Sequence, residues 1–275
     1  MKLKFRILFI LAQFISFCFA QKSMMLKTHY TPQTNYNQTI TQVNHSTLTY
    51  IGKPDFLENI KANGIENPTI SADSSVINMV MRTGKQQKDQ TFKVELEYVS
   101  SERSDGEKYI PDGTIIFGNA TNSKMELDSV YSPYLDENLK KVVLQTIKSM
   151  FSQLKYPEKT MKIGDIFTQE MPLSIPIADK TLNMVISSMY KLVTIENNMA
   201  FFEIIQNYTM VTNILEEPIS ASGSGKGKFK YSLDYNYIIY YEMESDMFFR
   251  IISDDYEINL KQGSRYVQEC TITKK

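Results

Sequence analysis

Residues 222–234 read SGSGKGKFKYSLD and residues 237–252 read YIIYYEMESDMFFRII. In the first stretch the even positions are Ser222, Ser224, Lys226, Lys228, Lys230 and Ser232. The odd ones are Gly223, Gly225, Gly227, Phe229, Tyr231 and Leu233. A strand sends successive side chains to opposite faces, so one face is cationic and the other runs from bare glycine to apolar. The second stretch has the matching pattern. Tyr237, Ile239, Tyr241, Met243, Met247, Phe249 and Ile251 share one face, and Glu242, Glu244, Asp246 and Arg250 the other. A three-residue loop centred on Asn236 pairs Lys230 with Glu242, Lys228 with Glu244 and Lys226 with Asp246. It also places Met247 opposite Gly225 and Phe249 opposite Gly223, where large side chains cover glycine backbone. A phosphate loop is the competing reading of the glycines. It requires glycine at 220 and serine or threonine at 227, and the chain has Ser220 and Gly227.

The same β signals extend outward from this hairpin. Residues 75–82, 92–99, 114–117, 166–175, 181–195, 200–211 and 264–273 are rich in β-branched and aromatic residues. Pro111-Asp112-Gly113 suits a three-residue hairpin loop, and Asn197-Asn198 a tight turn. Two segments read as helix. One is Pro54–Asn63, with proline near its start and Gly64 after its end. The other spans 133–155, its stripe formed by Leu135, Leu139, Val142, Val143, Ile147, Met150, Phe151 and Leu154. Ser132 is placed to cap its start. The expected fold is mainly β (α+β), a large curved antiparallel sheet or half-barrel with this one long amphipathic helix packed on it. Residues 21–275 form a single β-rich domain, or two related β halves, 21–131 and 158–275, joined by the helix.

Residues 1–20 read as a cleavable export signal. Lys2, Lys4 and Arg6 precede an apolar run that ends in Cys18-Phe19-Ala20. Cleavage after Ala20 implies an exported protein, periplasmic or secreted. Removing those three cations from 30 basic residues against 31 acidic ones leaves a net charge of −4, which excludes the basic footprint of a nucleic-acid binder. No later segment is apolar enough to be read as a transmembrane helix. Cys270 is left as a single thiol, on a strand face with Tyr266 and Ile272, and reads as buried and inert.

Catalytic chemistry is hard to assemble from these residues. The two histidines, His29 and His45, form no zinc motif, and no nucleophile elbow occurs. Asp254 and Asp255 are neighbours in an extended turn and point apart. No cofactor or metal is implied.

Three stretches carry a resemblance: residues 162–167 (KIGDIF), the alternating Met and polar strand from Asn183 to Met189, and residues 223–227 (GSGKG). In these the chain resembles a family of uncharacterised exported bacterial β-rich proteins. The resemblance implies export and a β-rich domain. The expected architecture is more distantly similar to the half-barrels of outer-membrane lipoprotein carriers.

The longest apolar surfaces are the helix stripe and the inner face of the hairpin. They are expected to enclose a site for an apolar small molecule or lipid, lined by Met150, Leu154, Met243, Met247 and Phe249. The glycines at 223, 225 and 227 either leave a void on that face or let the helix pack down and remove it. The function expected is non-enzymatic binding. The alternative is a structural or surface-assembly protein acting through partner contacts at exposed strand edges.

Overall fold

The computed structural model describes residues 22–108, 110–153, 156–177, 180–210 and 219–275. The export signal expected at residues 1–20 lies outside them. An antiparallel sheet of eleven strands dominates the molecule. Its first part is a meander of β2 (Thr34–Gly52), β3 (Thr69–Thr83), β4 (Phe92–Arg103), β5 (Thr114–Ala120) and β6 (Met125–Tyr131). Its second is a meander of β8 (Ile166–Ile177), β9 (Lys180–Glu196), β10 (Met199–Met210), β11 (Ile219–Ser232), β12 (Tyr237–Ile252) and β13 (Tyr256–Lys274). β13 pairs with β2 along 19 residues and makes the two meanders one sheet. β6 and β8 stand at its two edges, and no pairing closes it into a barrel. Two short strands, β1 (Ser23–Leu26) and β7 (Lys159–Lys162), form a separate antiparallel pair.

Alternation explains most of this sheet. β5 buries Thr114, Ile116, Gly118 and Ala120 and leaves the residues between them half-exposed. Asn197 and Asn198 both adopt positive φ, 50° and 58°, and join β9 to β10 in the two-residue turn their side chains favour. Gly113 is left-handed as expected, with φ 75°. The connection there is longer than a three-residue hairpin, because β4 continues to Arg103 in its ladder with β3.

β11 and β12 pair as a hairpin with lysines and acids on one outer face, but two residues away from the expected register. Lys228 faces Glu242, and Lys226 faces Glu244. The loop is Leu233–Asn236, and a bulge follows it: Tyr231 pairs with Ile238 while Lys230 pairs with Tyr240. A slip of two preserves every face, where a slip of one would invert them. The bulge turns Ile238, rather than Ile239, toward the core. On the outer face Glu242 accepts hydrogen bonds from Tyr240 Oη at 2.7 Å and Arg265 Nη2 at 2.6 Å, with Lys228 Nζ at 3.1 Å. These bonds, Tyr240's first, hold its carboxyl down at about 2.

The first helix, α1 (Pro54–Ala62), closes the β2–β3 connection, with Phe56 stacked on Tyr256 at 4.9 Å. The second, α2 (Glu137–Gln153), is shorter than the expected 133–155 and rests on β6. Asp136 caps it in place of Ser132, accepting the amides of Asn138 and Leu139 at 2.8 and 2.9 Å. Ser132 is instead buried against Thr114, whose hydroxyl donates to it at 3.0 Å. The stripe is only partly covered: Leu139 is 49% exposed and Val142 57%, while Ile147 is buried. Val143, Leu144 and Phe151 pack beside Ile147, so the helix reaches over the core with one side of its second half only.

Two large cores share the inner face. One gathers Phe167, Tyr190, Leu192, Phe202 and Phe229 from β8–β11 under Met24, Leu26 and Met161 of the small sheet. The other gathers Tyr36, Met81, Phe92, Leu96 and Ile116 under Ile147 of α2. A third, smaller cluster holds Leu182, Met184, Ile219 and Phe249.

A tyrosine-lined cavity between two cores

The glycine face of the hairpin is closed at Gly225 and Gly227. Gly223 faces Met247, Gly227 faces Met243, and Gly225 faces Ser245. Met243 Sδ lies 3.2 Å from where a Cβ on Gly225 would stand, and Met243 Cε lies 3.0 Å from the same point on Gly227. Met247 Cγ lies 3.1 Å from it on Gly223. The volume that Gly225 and Gly227 release is thus taken by Met243 of the paired strand, while beside Gly223 an open hollow of about 730 Å³ is lined by Met247, Asp246, His45 and Gly263. Met243 belongs to the first core, and Phe249, with Met247 beside it, to the third cluster. The side chain of Met150 and the whole of Leu154 lie outside the described residues.

A cavity of about 340 Å³ opens instead at the junction of the two large cores. Its floor is the inner face: Gln169 and Met171 of β8, Tyr190 of β9, Gln206 of β10, Tyr241 of β12, and Tyr266 and Gln268 of β13. Laid flat, β8 and β13 stand five strand spacings, roughly 24 Å, apart. Both edge one cavity of this size, so the sheet curls around it. Phe151 of α2 and Tyr156 form the opposite wall. Tyr156 meets Tyr190 edge-on at 5.8 Å and Phe167 at 6.5 Å. The last wall is a strap, residues 27–30, running from β1 to β2. The backbone of Lys27 accepts a hydrogen bond from Tyr231 Oη at 2.7 Å and donates one back at 3.3 Å. Further along, the amides of His29 and Tyr30 donate to the carbonyls of Asn236 and Asn122, at 3.1 and 2.8 Å.

Apart from Lys27, the polar groups described at this cavity are neutral. Burial pushes the phenols of Tyr30, Tyr231 and Tyr266 up to about 12. It raises those of Tyr156, Tyr237 and Tyr241 further. Many tips are spoken for: Gln38 donates to Tyr237 Oη at 3.2 Å, Tyr266 to Gln268 at 3.1 Å, and Gln206 to Ser188 at 2.9 Å. The hydroxyls of Tyr30 and Tyr241 have no hydrogen-bond partner among the described residues. Among the described residues no aspartate or glutamate lines the cavity, and Lys27 is the one charged residue that does. Cys270, buried in the second core, is held at about 12 and is inert, as its strand face implies.

Sequence reasoning missed this site because it followed continuous apolar runs. The available signal was composition: 17 tyrosines and no tryptophan. Tyr241 and Tyr266 also stood on faces already assigned to the interior. The strap carried no signal, since residues 27–30 contact the cavity only through long-range closure.

No family model matches the chain, and no curated protein does. The resemblance to exported β-rich proteins therefore rests on its three short stretches alone. Among solved structures, an outer membrane channel from Pseudomonas putida F1 aligns over 89% of this chain and 98% of its own. The identity is 6% and the TM-score 0.19, too low to carry any inference. Among the described residues no helix is long and apolar enough to cross a membrane.

Proposed function

We propose that the protein is exported through residues 1–20 and binds one small, largely apolar ligand between α2 and the inner face of the sheet, without catalysis. The observation that supports this is the cavity itself. At about 340 Å³ it falls in the range of small-molecule sites, roughly 300–1,000 Å³, and a handful of polar tips punctuate an apolar lining. Among the described residues its lining pairs no acid with a base, which suits retention rather than proton transfer. Native mass spectrometry of gently purified protein is expected to show a bound species that mild denaturation releases. Protein that carries nothing and takes up no apolar compound would overturn the reading. N-terminal mass analysis of exported protein is expected to find Gln21 first.

A second reading, assembly through partner contacts, draws on one feature. Tyr131, Tyr134, Leu139 and Val142, on the β6 edge and the start of α2, are large apolar residues left exposed. If they hold a partner copy, Val142→Glu shifts the sedimentation of concentrated protein toward monomer. A monomer at all concentrations removes self-assembly.

A further inference from the structure

Among the described residues of the cavity lining the formal charge is positive, from Lys27. The strap brings Lys27, half-buried, to the wall, and none of the ion pairs among the described residues involves it. His29, two residues on, holds its proton less readily, because burial and then Lys27 itself lower its affinity for one. Tyr30 and Tyr241 offer hydroxyls without partners, and as neutral phenols each can donate a hydrogen bond. A lysine at the wall without an ion-pair partner leaves a charge-assisted contact open to a bound anion. The remaining wall is mostly ring faces and edges with Met171, Phe151 and Ile238, suited to hydrocarbon, interrupted by the neutral side chains of Thr28, Gln169, Gln206, Asn236 and Gln268. The volume accommodates one chain, not two.

We propose, building on the binding reading above, that the ligand is a single-chain amphiphile with an anionic head, a long-chain carboxylate, its charge set against Lys27 and its tail among the tyrosines. Three compounds of equal chain length separate the two levels of the argument: dodecanoate, dodecan-1-ol and dodecylammonium, titrated calorimetrically into the purified protein. Dodecanoate is expected to bind about tenfold more tightly than the alcohol, the size of one charge-assisted contact, with the ammonium weakest. Lys27→Met is expected to remove the preference and bring dodecanoate to the level of the alcohol in the same variant. Lys27→Arg is expected to restore the preference. The strap is tied by the backbone of Lys27, so both variants keep its hydrogen bonds. Equal binding of all three compounds, or a carboxylate preference that survives Lys27→Met, overturns the head-group assignment while the cavity stands as a site. Failure of all three to bind overturns the cavity reading itself.

Discussion

Two parts of one inner face were open to being hollow, and they differ. Over Gly225 and Gly227 of β11 side-chain volume is missing, yet Met243 from the paired strand lies across both and takes it up. Between the two large cores no side chain is missing, yet about 340 Å³ remains. The difference lies in what can collapse. Methionine is unbranched and flexible, so it bends into a gap and recovers the contacts that a void forfeits. Tyrosine has a rigid ring with a polar tip. Once the tip of Tyr231 is bonded to the strap and that of Tyr266 to Gln268, the rings cannot lean inward without breaking those bonds. A persistent cavity in this fold therefore comes from bulky residues held at their tips, not from small ones.

The largest test of this contrast is alkaline pH. The cavity phenols titrate near 10 when unfolded and at about 12 or above when folded. Their contribution to stability is full below pH 10 and is lost as pH rises through the folded values. Several groups act together, so the denaturation midpoint is expected to fall steeply between about pH 10 and 12, with phenolate absorbance appearing as the protein unfolds. On the methionine side Tyr208, opposite Gly223, is a phenol that burial likewise raises. Gradual phenolate formation in a still-folded protein near pH 10 would mean the rings are wet and loosely held.

On the filled side, a methyl at Gly227 would come closer than 3.0 Å to the carbonyl oxygen of Glu242. Gly227→Ala is expected to cost about 3 kcal/mol or more in urea unfolding, the upper end for overpacking. At Gly225 the nearest atoms are Glu244 O at 3.1 Å and the mobile Met243 Sδ at 3.2 Å, so Gly225→Ala should stay within about 1 kcal/mol. Equal costs would show that the methionine, rather than the backbone, sets the fit. Next in size, Met243→Ala is expected to cost about 2–3 kcal/mol, because the glycines beneath it cannot refill the gap. It should also create uptake of xenon or benzene where the parent protein has none on that side.

Much of the frame was legible because alternation is local. The β11–β12 hairpin, the Asn197-Asn198 turn and α1 follow from neighbours within a few positions. Register was not legible, since the bulge after Asn236 depends on Ile238 finding the first core. The strand β2 was largely hidden by its own composition. It is central in the sheet, yet carries Gln38 and Gln42 inward, where Gln38 serves Tyr237 across a separation of 199 residues. The cavity was the least legible feature, because its walls come from β8, β13, α2 and the strap and meet only when the sheet curls. Met243, Met247 and Phe249 were placed correctly on the inner face, and only packing could show that methionine fills it.

The smallest expected effect separates tips that hold the cavity open from tips that wait for a ligand. Tyr231 Oη bonds the strap at 2.7 Å, and Tyr231→Phe removes that bond, leaving the Lys27 carbonyl without this donor. A cost of about 0.5–1.5 kcal/mol is expected. Tyr241 has a ring in similar company, edge-on to Tyr266 at 5.9 Å, but its hydroxyl bonds nothing among the described residues. Tyr241→Phe keeps the ring and deletes an unused polar atom, so stability should change by less than about 0.5 kcal/mol. Ligand affinity should move the other way: weakened by Tyr241→Phe, if its hydroxyl donates to the bound molecule, with no loss of fold to confuse the result. A Tyr241→Phe protein as destabilised as Tyr231→Phe would mean that this hydroxyl also braces the wall, and the distinction between holding and waiting tips would fail.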